Sequence, residues 1–313
     1  MKKYNNLIID CNNLYARAFY VCKQKTQKMP DVINQTIQLS LKMILNLQHK
    51  FLEDSGTVYV LADNPTSKIT MRKELSGGEY KADRMKETDG YYRGIDYLLV
   101  ILNNYSSTFK TVRIKHLEAD DLVPSILESC IGNSLLISTD MDWARSISIS
   151  TDWYNIKEVY DVEKFTKHFK FYPTVESITL YKSLLGDTSD NIKGIKNLTE
   201  QVALNIIRLY NDVFDLINSV KKNDEKSYNL SEHTKKLILL NERGLTINHN
   251  IIYFCEVDKN QINASIINGN FNPKALSILY KSMDFPNNFD SRIEEKIQSF
   301  GDIFSNFSQI DRK

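Results

Sequence analysis

A chain of 313 residues with 42% hydrophobic and 25% charged residues has ordinary globular composition, enough for one large domain or two smaller ones. The four cysteines, Cys11, Cys22, Cys130 and Cys255, form no Cys-x-x-Cys pair and no Cys/His ligand spacing, which excludes a zinc or iron–sulfur centre and predicts free thiols in a reducing compartment. The net charge of +1 does not exclude a nucleic-acid partner, because a cleft that gathers acids hides an equal surplus of lysine and arginine elsewhere.

Leu7-Ile8-Ile9 predicts a short buried strand that ends at Asp10, an acid that also breaks any secretory core after Met1-Lys2-Lys3. Ile33, Ile37, Leu41, Ile44, Leu45 and Leu47 predict a long amphipathic helix between Val32 and Phe51 that serves packing. Thr57 to Ala62 predicts a second strand, which ends on Asp63. From Asn64 to about Tyr92 hydrophobic periodicity is weak and Gly77-Gly78 marks flexibility. Lys68, Arg72, Lys73, Lys81, Arg84, Lys86 and Arg93 are interleaved there with Tyr80, Tyr91 and Tyr92. Cations for phosphates and rings for stacking suit a single nucleic-acid strand; a solvated loop is the plain alternative.

Ile95 to Leu102 predicts a helix. Its run Leu98-Leu99-Val100-Ile101-Leu102 is the longest apolar stretch and too short to span a bilayer, so a soluble cytoplasmic protein is expected. Thr111 to Lys115 predicts a third strand, running into Glu118-Ala119-Asp120-Asp121 and a helix that carries Leu122, Val123, Ile126 and Leu127. One or two acids would cap that helix, and a third needs another cause. Leu135 to Thr139 predicts a fourth strand, ending on Asp140-Met141-Asp142. Strands separated by helices imply a mostly parallel sheet whose carboxyl ends share one edge. That edge would gather Asp10, Asp63, Glu118, Asp120, Asp121, Asp140 and Asp142. Helix caps would not coincide so often, and like charges so close call for a hard divalent cation.

Trp153 to Ile156 with Glu158 to Tyr160 predicts a closing edge hairpin. A helix opens at Pro173-Thr174 and runs to Leu185, followed by a turn-rich link, Gly186 to Ile195, holding Asp187 and Asp190. Thr199 caps a further helix reaching Ile207. Helix, glycine-containing turn and helix offer backbone amides to a phosphate. Beyond Asn211 only helices are expected; Lys221, Lys222, Lys226, Lys235 and Lys236 read as solvated faces or as an extended duplex footprint.

Together the motifs resemble the flap endonuclease/5′–3′ exonuclease family, especially the bacteriophage 5′ nucleases of the ribonuclease H type. The likeness covers about residues 7–210: Ile9-Asp10-x-Asn12-Asn13-Leu14 with Arg17, Tyr80-Lys81-x-x-Arg84, Glu118-Ala119-Asp120-Asp121, Ser138-Thr139-Asp140-x-Asp142, and Gly186-Asp187-x-x-Asp190-Asn191-Ile192-x-Gly194. The resemblance implies an α/β fold, a PIN-like mostly parallel sheet flanked by helices, with a helical arch, a helix-three-turn-helix element and a helical C-terminal part. Residues 1–172 would form the nuclease domain, with the arch at about 64–92. Residues 173–313 would form the DNA-binding part, with the helix-three-turn-helix at about 174–210.

Asp10, Asp63, Glu118, Asp120 and Asp121 would then hold a first metal ion, and Asp140, Asp142, Asp187 and Asp190 a second. Mg²⁺ is implied, with Mn²⁺ as substitute and K⁺ as a candidate at the helix-three-turn-helix. Lys81, Arg84, Asp10 and Asp120 would carry the chemistry, and Arg17, Tyr80, Lys68, Arg72, Lys193, Gly194 and Lys196 would contact DNA. The implied reaction is hydrolysis at a 5′ flap, nick or 5′ end of DNA or of an RNA–DNA hybrid, by a monomer, with a sliding clamp or single-strand-binding protein as candidate partner. Cys11 and Lys196-Asn197-Leu198 stand where family members usually have Gly and a second Gly-Ile-Gly turn. A catalytically silent branch-binding protein would lack carboxylates, and none is missing. A haloacid-dehalogenase-type phosphatase wants an acid where Asn12 stands. A like-charge cluster further predicts that Asp120→Asn raises stability without metal.

Overall fold

The computed structural model describes residues 2–25, 28–63, 71–83, 88–253, 255 and 257–282. In chain order the elements begin β1 (Tyr4–Asp10), α1 (Cys11–Lys23), α2 (Met29–Phe51), β2 (Leu52–Leu61), α3 (Met71–Leu75), α4 (Asp89–Tyr105) and β3 (Phe109–Val112). There follow α5 (Ala119–Ser129), β4 (Ser134–Ile137), β5 (Thr151–Tyr154), β6 (Val159–Tyr160), α6 (Val162–Phe169) and α7 (Val175–Leu185). The small hairpin β7 (Gly186–Asp187) and β8 (Ile192–Lys193) leads into α8 (Glu200–Leu209), α9 (Val213–Lys222), α10 (Glu232–Leu240) and α11 (Glu242–Ile252). Last come α12 (Lys259–Ser265), β9 (Ile266–Asn268) and α13 (Pro273–Ser282).

The main sheet runs β6-β5-β4-β1-β2-β3-β9. Neighbours from β5 to β3 are parallel, and the two edge strands pair antiparallel. Parallel strands are buried on both faces and so read as unbroken apolar runs. In β1, Leu7 and Ile9 join the core beneath α1, α2 and α4, while Ile8 joins the opposite core with Leu122, Val123 and Ile126 of α5. The layers are therefore helix, sheet, helix. Because Asp10 pairs with Leu61 and Ile9 with Ile137, the ends of β1, β2 and β4 lie level, and the acids after them open onto one edge.

Several expectations shift. The third strand is Phe109–Val112, starting two residues and ending three residues earlier than predicted, and the chain turns at His116 with φ +69°. The helix expected from Ile95 begins at Asp89, extended by Tyr91, which is buried against Tyr15 and Phe19. The closing hairpin forms as β5–β6. β9 was not expected: it returns from the helical C-terminal part to pair with β3, and Leu276 of α13 enters the core beside α4. No helix among the described residues is long and apolar enough to cross a membrane.

Candidate metal centre

Four of the acids are fixed by backbone hydrogen bonds before any ion is considered. Asp10 caps α1 through the Asn13 N–H (2.9 Å) and accepts from Ser138 Oγ (2.8 Å). Asp63 accepts from the Ala119 N–H at 2.8 Å, tying the end of β2 to the start of α5. Asp140 accepts from the Asp142 N–H, and Asp187 from the N–H and hydroxyl of Ser189. Asp10, Asp140 and Asp187 are thus helix caps that also open onto the cleft; capping does not take them out of a metal site.

They fall into two groups. In the first, Glu118, Asp120 and Asp121 surround Arg72, which reaches them at 2.7, 3.5 and 2.5 Å. Arg145 takes the other side of Asp120 at 2.8 Å. In the second, Lys182 of α7 lies 2.7 Å from Asp142, 2.7 Å from Asp187 and 3.5 Å from Asp140. One oxygen each of Asp142, Asp187 and Asp190 lies within 4.8 Å of the others, a spacing able to hold a metal ion. Lys81 touches both groups, 2.7 Å from Glu118 and 4.0 Å from Asp190, and its N–H donates to the Asp190 carbonyl.

The charges are unequally balanced. Burial, then Asp63, raises Asp10 to about 8. Burial and Glu118 raise Asp63, burial and Asp120 raise Asp121, and burial and Asp142 raise Asp140. Glu118, Asp120 and Asp187 are partly buried, which would raise them too, but Lys81 and Arg72, Arg72 and Arg145, and Lys182 respectively hold them below the ordinary carboxylate range. Raised acids that offer only oxygen ligands fit a hard divalent cation, which would stabilise their charged forms.

Several assignments need correcting. Arg72, expected on the DNA-facing loop, is 3% exposed and bound to acids. Tyr80, expected as a stacking ring, is 3% exposed, and its hydroxyl donates to Glu118 (2.9 Å) and Asp190 (3.2 Å). Both were misread for one reason: cations and a phenol that neutralise a buried acid cluster resemble a nucleic-acid surface in sequence. Arg17, Lys193 and Lys196 are exposed. Lys68 and Arg84 lie outside the described residues.

Lys182 and Arg145 were missed. Lys182 stands four residues after the buried Ile178, in phase with the core face of α7, and a charge in that phase was a readable signal. Arg145 gave none, being one basic residue in a short 3₁₀ turn, Met141–Ser146.

Beside the second group, β7 and β8 cross so closely that a Cβ on Gly186 would lie 2.5 Å from the Gly194 nitrogen, and Gly186 has φ +85°. Where the second glycine turn was expected, Asn197 adopts φ +68°, and the Thr199 hydroxyl caps α8 by accepting from Val202 N–H at 3.4 Å. A family model described as 5′-3′ exonuclease, N-terminal resolvase-like domain, matches residues 5–170. The chain belongs to this 5′–3′ exonuclease family.

Among similar members is the flap endonuclease of Escherichia phage T5, 29% identical over 233 residues, 72% of this chain and 76% of that protein. The 5′-3′ exonuclease of Buchnera aphidicola subsp. Schizaphis graminum is 28% identical over 226 residues, 71% of this chain and 76% of its own. DNA polymerase I of Caldicellulosiruptor bescii is 24% identical over 77% of this chain, which spans only 28% of that polymerase. Among solved structures, the T5 D15 protein co-crystallized with metal ions shares the fold with TM-score 0.62 at 21% identity, over 89% of this chain and 98% of that one. A T5 D15 flap endonuclease variant, in a pseudo-enzyme-product complex with DNA and metal ions, matches with TM-score 0.60 at 20% identity over 94% and 99% of the two chains.

Proposed function

We propose that this exonuclease-family protein is a divalent-metal-dependent 5′ nuclease, which hydrolyses phosphodiesters near 5′ flaps, nicks or 5′ ends of DNA and RNA–DNA hybrids. The observation that carries the reading is the meeting of carboxylates from the strand ends of the main sheet with those of the β7–β8 link, with Asp142, Asp187 and Asp190 at metal-holding distance. Asp10, Asp63, Glu118, Asp120 and Asp121 would hold one Mg²⁺ or Mn²⁺, and Asp140, Asp142, Asp187 and Asp190 the other. Such a pair of ions supplies an activated water and stabilises the leaving oxygen.

The chain's own residues do the rest. Lys81 stands between the two carboxylate groups, with its side chain 17% exposed, so its ammonium faces the place where charge builds on the scissile phosphate. Tyr80, locked to Glu118 and Asp190, holds the adjoining backbone in place. A cavity of about 900 Å³ continues from the second group past Asn13, Thr139, Tyr181 and Gly194, and we assign it to the duplex backbone. Lys193, which lines it, and the exposed Lys196 three residues on would meet phosphates. Thr199 already satisfies one amide at the start of α8, so these lysines carry more of the grip than backbone amides do.

Incubating the protein with end-labelled 5′-flap DNA, with and without Mg²⁺, tests the reading. Cleavage only with the metal, leaving 5′-phosphate and 3′-hydroxyl ends, is expected. Cleavage that persists in excess chelator would overturn it.

A further inference from the structure

Ile252, Tyr253 and Cys255, beyond the matched family region, reach into the acid cluster. The helix α11 ends at Ile252, and its last carbonyls lack partners inside the helix, as all helix C-termini do. Two of the cleft's cations meet that end. Arg145 Nη1 donates to the Ile252 carbonyl, and Arg72 Nη2 to that of Tyr253 at 3.5 Å. Just past it, the Cys255 N–H donates to Asp121 Oδ1 at 3.0 Å. A helix C-terminus carries partial negative charge and favours cations, so both arginines lie between two kinds of negative partner.

Arg145 is the more fully wired of the two. Its side chain is entirely buried, its Nε donates to the Asp142 carbonyl at 2.8 Å, and its Nη2 to Asp120 Oδ2 at 2.8 Å. A single guanidinium thus joins an acid of the first group, the backbone of the second, and the carbonyl end of α11. One turn earlier, at Asn248, four residues upstream of Ile252, Nδ2 donates to the carbonyls of Ser183 (3.1 Å) and Lys193 (2.8 Å). Ser183 follows Lys182 on α7, and Lys193 is in β8 beside the proposed duplex cavity. Arginine suits this junction because its planar fork serves three acceptors at fixed angles, which lysine cannot do.

We propose that α11 is a positioning helix for the metal cleft and acts through Arg145, a resident cation that aims Asp120 and limits how tightly the cleft holds divalent ions. The proposal rests on the nuclease reading above. Arg145 touches no reacting atom; it acts through Asp120 and through its anchor on the Ile252 carbonyl. Removing its charge leaves the acids less compensated, so ions bind more tightly. Removing its fork lets Asp120 drift, and small misplacements cost rate steeply.

Two variants separate charge from geometry, read by Mn²⁺ calorimetry on DNA-free protein and by single-turnover cleavage of 5′-flap DNA at saturating Mn²⁺. Arg145→Gln should tighten Mn²⁺ binding by about tenfold while slowing cleavage by about 100-fold. DNA affinity in Ca²⁺ should stay within about threefold, since no phosphate contact changes. Arg145→Lys keeps the charge but loses the fork, so Mn²⁺ affinity should remain within about threefold and cleavage fall by about tenfold. Unchanged or weaker Mn²⁺ binding by a folded Arg145→Gln protein would overturn the resident-cation role. Full-rate cleavage by Arg145→Lys would overturn positioning through α11, and that variant carries the test if Arg145→Gln does not fold. A wild-type protein that binds Mn²⁺ yet cleaves no flap would sink the nuclease reading instead, with the Mn²⁺ affinities still deciding the role of Arg145.

Discussion

The two halves of the acid cleft solve one electrostatic problem by different means. In the first group, two arginines cross the carboxylates and are themselves held by main-chain carbonyls. In the second, one lysine reaches three carboxylates from α7. A guanidinium pinned on several sides stays where it is, whereas an ammonium on a four-carbon stem is a point charge that can be displaced. The first half is therefore pinned by its own counter-ions. The second half, on the proposed function, would exchange its counter-ion for a metal ion. Counting acids alone would have made the halves equivalent.

Lys81 belongs to both halves and gives the largest expected effect. If its ammonium serves the transition state, Lys81→Ala lowers the single-turnover rate by about 100- to 1,000-fold, as loss of one preorganised donor does. Substrate affinity, measured in Ca²⁺, should change only a few-fold. Equal losses of rate and affinity would make the residue part of a diffuse basic surface.

The contrast between fixed and displaceable counter-ions predicts unequal stability losses. The sequence alone predicts that Asp120→Asn stabilises the metal-free protein by relieving repulsion. The structure reverses the sign, because Asp120 faces Arg72 and Arg145, both nearly buried, and these attractions outweigh its acidic neighbours. Asp120→Asn should cost about 3–5 kcal/mol, the usual penalty for breaking a buried pair. Asp187→Asn should cost about 1 kcal/mol, since Lys182 keeps Asp140 and Asp142. Chemical denaturation in chelator compares them; a more stable Asp120→Asn protein would restore the repulsion account.

The pH response is the smallest effect and sharpens the same point. A carboxyl raised in the folded chain keeps a proton that the unfolded chain has lost. Its stabilisation is complete below about pH 4 and drains away as pH climbs through the folded value. With Asp10 raised to about 8 and Asp63, Asp121 and Asp140 raised as well, the metal-free protein should melt lower at pH 8 than at pH 6. The lowered acids, Glu118, Asp120 and Asp187, lose their contribution only in stronger acid. Mg²⁺ should thus raise the melting temperature more at pH 8. A flat profile in chelator would mean that the resident cations already balance the cleft.

Most of the sheet was legible because strand ends marked by acids are a local signal: Ile9-Asp10, Ala62-Asp63 and Thr139-Asp140 each announce their place. The counter-ions were not, because their meaning lies in tertiary contact. Arg72 on a five-residue helix and Arg145 in a 3₁₀ turn look like surface charges until the acids close around them. β9 escaped for a different reason. Three residues with Ile267 and Asn268 exposed carry no periodicity, and only the open edge of β3 turns them into a strand.

That late strand gives the protein a schedule. During synthesis β3 is complete by residue 112, but its outer edge waits more than a hundred residues for Ile266–Asn268 to arrive. At about 5–20 residues per second, the nascent chain carries an uncapped sheet edge for about ten seconds or more, when stray strand pairing is most tempting. Ribosome pausing or truncation before residue 266 would prolong that exposure, so fragments ending there should aggregate more readily than the full chain.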